Sequence, residues 1–442
     1  MKKAIGLLLV VIASTLVVLA FQEHTAVAET AVPTGDTWSA PKVISTGIAN
    51  AKRPVIKADP NTPGRVMAMF ISQEINNTPI DPYYTVSTDH GANWTTPSPI
   101  HQSGVESKQI DFTFDDQGTA HAVWREGRDL AYANSSNWAT SFRTLSTPGN
   151  DPGVTTPSIG TFGANIHVVW SEADTSNPDP LKTVPNIYYI RSTNRGVNWS
   201  AAPIAITNTG LESVSPSLAV DAAGNLHVVW QELTIDPNNG NAITYKIKYV
   251  KGTVSPSSVT WSTPINISDA IVASLFDGQE PHIIATNSGL VVTLTAIFQQ
   301  PIEQYIYLLS CRSGCESQSH WTNQGSVSGP ALYVNIEPVD LASSPVRRLG
   351  CTYVFFDGAT TDNPEGKEQV WMANGCRGWS SARTPITNDV TRALRPSTDS
   401  LDNWLYLAYE EAILVETGNA NKIYFLANEA DYGAYLPLVA RP

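Results

Sequence analysis

Arg53 in "KRPVI" and Arg395 in "LRPST" each stand directly before a proline. A guanidinium is planar and pairs with a carboxylate through two parallel hydrogen bonds, so two such residues brought together could hold an acidic ligand. A second set is acidic: Glu74, Glu126, Glu172, Glu232, Asp357 and Glu411 all follow apolar runs such as "AHAVW", "IHVVW" or "LHVVW". Two carboxylates across a glycosidic bond supply a general acid and a base or nucleophile. Arg53, Arg395 and Glu74 are therefore the substrate-binding candidates. Glu126, Glu172, Glu232 and Glu411, with Tyr409, are the catalytic ones. The acids recur with a spacing, however, and a recurring residue is more often part of an architecture than of a site.

That spacing is an internal repeat, the feature to seek before any motif. Trp38, Trp94, Trp138, Trp199, Trp261, Trp321 and Trp379 are separated by 44 to 62 residues. Most precede a turn and a short strand, as in "WSAPKVI", "WTTPSPI" and "WSTPINI". A Pro-led apolar segment follows in most units: "RPVIKA", "TPSIGT", "SPSLAV", "EPHIIA", "EPVDLA" and "RPSTDS". Then come the apolar run and a third alternating segment such as "IYYIRS", "IKYVKG" or "IYFLAN". Each unit reads as four short strands. Repeated in this way they predict an all-β fold, a β-propeller of seven four-stranded blades, with six as the alternative count. The last unit lacks its own closing Trp strand, and "DTWSAPKVI" near the N-terminus is a spare one. Pairing the two would close the ring and remove both sheet edges.

Two copies of one octapeptide, "STDHGANW" and "STNRGVNW", fall between the third and fourth strands of their units. The pattern Ser-x-Asp-x-Gly-x-x-Trp suits a turn staple: Ser and Asp bond the turn's own amides, Gly supplies a positive φ, and Trp packs between blades. Ser87, Asp89, Gly91 and Trp94 match it fully; Ser192, Gly196 and Trp199 match it with Asn194 in place of the Asp. The element resembles the Asp box of the sialidase superfamily, the BNR (bacterial neuraminidase repeat) propellers. The resemblance spans nearly the whole of residues 29–430 and implies the fold strongly and the chemistry weakly. The same box occurs in sialidases, other glycosidases and non-catalytic propellers, and sialidases have six blades where seven are counted here.

A sialidase-type site, as the resemblance would imply it, holds the substrate carboxylate with three arginines, the first in an Arg-x-Pro motif. Here the pattern is Arg-Pro without the spacer, and no arginine stands between Arg195 and Arg312. Such a site also uses a tyrosine nucleophile activated by a Glu, and a separate Asp acid; Tyr353, Tyr406 and Tyr409 are available, and spacing selects none of them. The usual Asp after the first strand pair is not recognisable in "VMAMFISQEINN". Two functions follow as expectations: an exported glycoside hydrolase of sialidase type, or a non-catalytic propeller that binds extracellular glycan or protein on its funnel face. A polysaccharide lyase would want a Tyr/His pair; of His101, His121, His167, His227 and His282, the middle three sit at one repeat position.

Lys2 and Lys3, the apolar run Ala4 to Phe21 and Ala26-Val27-Ala28 read as a signal peptide over 1–28, followed by the propeller over 29–430 and a tail over 431–442. Secretion or cell-surface display is expected, with no membrane span after cleavage. The formal charge of −13 disfavours nucleic acid. Charged residues are 15% of the chain, against about 25% in typical domains. Ser, Thr, Asn, Pro and Gly replace them, as many short strands and turns require. An exported chain meets an oxidising compartment. The four cysteines allow three connectivities, and Cys311–Cys315 across a turn with Cys351–Cys376 between strands is favoured. With only His320 near the cysteines, a metal site is rejected. No cofactor is expected, and the partner is expected to be a glycan bound by a monomer.

Overall fold

The computed structural model describes residues 37–48, 50–72, 80–148, 153–173, 184–236, 242–271, 276–299, 302–328, 343–348, 351–358, 368–375, 383–387, 392–415 and 418–429. Among these the chain forms seven antiparallel sheets, one per repeat. Strands are lettered A to D outwards from the central channel. The A strands are Ala51–Ala58, Ser107–Phe114, Thr155–Phe162, Ser213–Val220, Phe276–Thr286, Ser343–Arg348 and Arg392–Leu401, for blades 1 to 7. The B strands are the most apolar because neighbouring blades cover both their faces; in Val66–Ser72 every residue is buried. In blade 6, "EPVDLA" was expected to open strand A; it lies outside the described residues, and the strand seen there is "SSPVRR".

Closure follows the spare-strand expectation. Lys42 and Val43 pair with Phe425 and Tyr424 on strand C of blade 7, and Trp38 bridges to Asn428. The outermost strand of the last blade therefore comes from the beginning of the chain. Trp38 packs edge-on against Phe355 of blade 6 at 5.7 Å, and Ile44 is buried between blades 7 and 1. Trp138 departs from the pattern: it opens a single helical turn, Trp138–Ser141, capped by Asn137. Trp379 lies outside the described residues.

The Asp box is a staple. Ser87 Oγ accepts from the amides of Asp89 and Gly91 and donates to Asp89 Oδ1 at 2.7 Å, while Asp89 Oδ1 accepts from the Asn93 amide at 2.8 Å. Trp94 Nε1 donates to the Gly91 carbonyl and its ring meets Phe425 of blade 7 at 4.9 Å. The second copy repeats the Ser and Asx bonds with Asn194. Trp199 Nε1 has no partner among the described residues to match that of Trp94, and the Trp199 ring meets Tyr132 of blade 2. Blade 5 reaches the same geometry by other chemistry. Cys311 ends strand C where Ser87 does, its disulfide to Cys315 closes the turn, and Trp321 Nε1 donates to the Cys315 carbonyl at 2.9 Å. Cys351 is not free, and Cys376 lies outside the described residues.

The donors around Asp89 hold its pKa down to about 2, from an ordinary value near 4. A depressed carboxylate stabilises the fold above its ordinary pKa and loses that contribution as pH falls through the depressed one. Asp89→Ala should therefore lower the melting temperature by a few degrees at pH 7, an effect that shrinks as pH falls through about 2, with glycan binding unchanged. Thermal melts across that range, run beside a binding assay, check both parts; loss of binding alone would sink the staple reading.

Candidate functional site at the channel mouth

Six A strands share an irregularity. Arg53, Gln109, Thr156, Ser215, Glu280 and Arg395 all have φ between 45° and 54°, left-handed values that non-glycine residues seldom adopt. At each the strand register slips, so that two residues of strand A oppose one of strand B. In five of the six a proline follows. Such bulges cost about 1–3 kcal/mol each and persist only where the surroundings over-determine them. Part of what holds them is visible: four bulge amides donate to a side chain, namely Arg53 to Glu410, Thr156 to Gln109, Glu280 to Gln231 and Arg395 to Asp357. The bulges ring one mouth of the channel, on the face that carries the B–C loops. The same six A strands line a cavity of about 700 Å³.

Arg53 and Arg395 both line this cavity, from adjacent blades. Glu410 ties them together: its Oε2 accepts from the Arg53 amide at 3.2 Å and from Arg395 Nη1 at 3.1 Å, and its Oε1 accepts from Asn421. The two arginine positions thus lie within one ligand's width. Asp357 Oδ2 accepts from the Arg395 amide at 2.5 Å. Burial, with Arg395 and Arg53 beside it, lowers the pKa of Lys52, and Glu410 opposes the shift. The mouth is a basic arc held in place by two buried carboxylates. Glu280 stands on the same ring in blade 5.

The other acids lie elsewhere. Trp124, Trp170 and Trp230 each donate their indole N–H to the acid two residues on, Glu126, Glu172 and Glu232, at 2.5, 2.8 and 3.2 Å. Ser107, Ser146 and Ser213 donate to the same three carboxylates. This Trp-x-Glu staple recurs in blades 2, 3 and 4 as part of the repeat, and burial raises the pKa of Glu172. Glu411 lies beside Tyr424, and Glu74 is outside the described residues. Tyr409 is buried, stacked on Tyr424 at 5.6 Å, and burial pushes its hydroxyl pKa up, the reverse of what an activated nucleophile needs. Tyr353 is buried too, and Tyr406 bonds His90 of the Asp box at 2.7 Å, at the end of the blade remote from the arginines.

His121, His167 and His227 bond Tyr132, Tyr189 and Tyr249 at 2.8 to 2.9 Å, so they are repeat residues. His101 stacks on Phe142. His282 is different. It faces the channel, water-accessible yet enclosed by the surrounding blades, and desolvation followed by the Lys57 charge drops its pKa to about 4. Lys57, Asp111 and Asp399 line the same channel. These, with Lys52, Glu280 and Glu410, are the charged groups that motif reading missed; counting each A strand from its bulge would have exposed the channel set. No group of three metal-ligating side chains occurs among the described residues, and none of their helices is long and apolar enough to cross a membrane.

No family model matches the sequence, and no curated protein does. Solved structures do. A protein of unknown function from Dyadobacter fermentans DSM 18053 is 13% identical with a TM-score of 0.53, over 90% of this chain and 100% of that one. This likeness shows the fold. A Trypanosoma rangeli sialidase in complex with the inhibitor DANA is 12% identical, TM-score 0.45, over 86% of this chain. The match spans about half of that sialidase, 55% of its length. A Penicillium chrysogenum α-L-arabinanase complexed with arabinobiose is 11% identical, TM-score 0.47, over 88% of this chain and 98% of that one.

Proposed function

We propose that this chain is an exported, sialidase-like propeller that binds carboxylate-bearing extracellular glycans at the mouth of its central channel. The observation that carries the reading is the juxtaposition of Arg53 and Arg395 on one buried carboxylate, Glu410, at the rim of a cavity large enough for a sugar. A site where low dielectric strengthens charge pairing and two guanidinium-bearing residues lie side by side suits a carboxylate. Binding is favoured over turnover. The ring positions of blades 3 and 4 carry Thr156 and Ser215, so the third arginine of a sialidase clamp is not among them, and Tyr409, the tyrosine named as a nucleophile candidate, is buried with its hydroxyl pKa pushed up.

The test pairs a glycan array of sialylated, uronate-bearing and neutral glycans with a fluorogenic sialoside assay. Acidic glycans should bind, and Arg53→Ala or Arg395→Ala should each weaken them roughly tenfold to a hundredfold, the range expected for one charge-assisted hydrogen-bonded pair. Robust sialoside cleavage that survives Arg53→Ala would overturn both the clamp and the preference for binding.

A further inference from the structure

Below the arginine mouth the channel wall can be compared blade by blade, counting from each bulge. Two residues past it stand Val55, Asp111, Ser158, Ser217, His282 and Ser397; four past it stand Lys57, Thr113, Gly160, Ala219, Ile284 and Asp399. At the first level the serines already do the architectural work. Each hydroxyl accepts the amide of the next blade's A strand: Ser397 from Ile56 at 3.1 Å, Ser158 from Leu218 and Ser217 from Ile283 at 3.2 Å. Asp111 makes the same link with Oδ2, to the Ile159 amide at 3.0 Å, while its Oδ1 accepts the amide of its neighbour Phe112 at 2.8 Å. A serine would suffice there, and burying a carboxylate costs more than burying a hydroxyl. At the second level Gly160, Ala219 and Ile284 show that the position needs no polar group at all. Asp399 does bond the next blade, its Oδ2 accepting the Ala58 amide at 2.8 Å, but the uncharged residues at the equivalent positions mean that the fold does not require the charges of blades 7, 1 and 2.

They are also arranged asymmetrically. Asp399, Lys57 and Asp111 form a polar arc on three consecutive blades; Gly160, Ala219 and Ile284 form an apolar arc on blades 3 to 5, with His282 above it. Lys57 acts electrostatically on Asp111, Asp399 and His282, so the four groups share one space. His282 has no hydrogen-bond partner among the described residues. We infer that the channel below the mouth is a second binding subsite, for a neutral polyhydroxylated ligand of monosaccharide size. Vicinal hydroxyls donate to the carboxylates and accept from the ammonium, while a ring's C–H face lies on the apolar arc. Two carboxylates disfavour an anion and the ammonium disfavours a cation, which leaves an uncharged ligand. The mouth and the channel below it share one cavity of about 700 Å³, which accommodates a ligand of that size. This subsite goes beyond the arginine mouth and does not depend on it.

The repeat supplies the test variants. Asp111→Ser and His282→Ser install the residue that three other blades carry at that level, so both should fold, which circular dichroism and thermal melting would confirm. Saturation-transfer NMR and calorimetry with D-glucose, D-galactose, D-glucuronate and D-glucosamine probe the wild type. A neutral sugar should bind in the millimolar range and better than the two charged ones, and Asp111→Ser should weaken it at least tenfold, with a smaller loss for His282→Ser. Absence of binding by either neutral sugar up to 100 mM (about a hundred times the expected scale) overturns the inference. So does a neutral sugar that binds both folded variants as well as the wild type, or a preference for glucuronate.

Discussion

A chain that begins at residue 49 should fail to form a stable monomer. The missing segment supplies the outer strand of blade 7: the amides of Ser39 and Ile44 donate to Ala427 and Ile423, and the hydroxyls of Ser39 and Ser45 accept from the amides of the same two residues. Four net hydrogen bonds at about 1 kcal/mol each, with Ile44 buried at a further 2 kcal/mol or so, amount to a large share of the 5–15 kcal/mol that holds an ordinary domain. Truncation also leaves the edge of Gly418–Glu429 unpaired, an invitation to intermolecular pairing. Size-exclusion chromatography should show oligomers or aggregate where the full chain runs as one species. A synthetic peptide of residues 37–48 should restore the monomer. A truncated chain that stays monomeric with an unchanged melting temperature would mean that the ring does not need its clasp.

Gly91→Ala should cost several kcal/mol, far more than the same change at Gly47. Both glycines have φ near +80° to +90°, a region that penalises any L side chain. At Gly47 a new Cβ meets nothing within 4 Å, so only the conformational strain remains, on the order of 1–2 kcal/mol. At Gly91 the Cβ would stand 1.9 Å from Cε1 of Phe425, a buried ring of blade 7 already packed against Trp94. Overpacking adds about 1–3 kcal/mol to the strain. Gly196→Ala is the internal replicate, since its Cβ would fall 1.9 Å from the Tyr132 hydroxyl of blade 2. Urea unfolding of the three variants separates the terms. Equal losses at all three would show that the box glycines matter for backbone conformation alone and not for blade-to-blade contact.

Much of the fold was legible because a propeller repeats its own instructions. The tryptophan period, the alternating runs and the surplus "DTWSAPKVI" sufficed for seven blades and for the closure. The Asp box announced its turn through residue types that bond only over a few positions, and the Cys311–Cys315 pairing was likewise a local matter. The candidate site was harder. Glu411 was favoured from "LAYEEA", yet Glu410 is the acid that touches Arg395 and the Arg53 amide. In a strand, one residue of register moves a side chain to the opposite face, and two adjacent glutamates give no sign of which parity applies.

Residue order carried the local grammar: turn staples, blade number and the strand left over for closure. All of these rest on interactions between residues near one another in the chain or repeated along it. Which charges meet is settled when the ring closes. Arg53 and Glu410 are 357 residues apart, and Lys57 shares the channel with Asp111, His282 and Asp399 of three other blades. The bulge at Arg53 and its equivalents shifts strand parity without altering the hydrophobic pattern; the proline that follows in five of the six marks its place in the sequence but not which charges meet across the channel. The physical reason is one of range. Backbone hydrogen bonds and side-chain periodicity act over a few residues, whereas a binding site assembled at the axis of a ring depends on charges that only closure of all seven blades brings together.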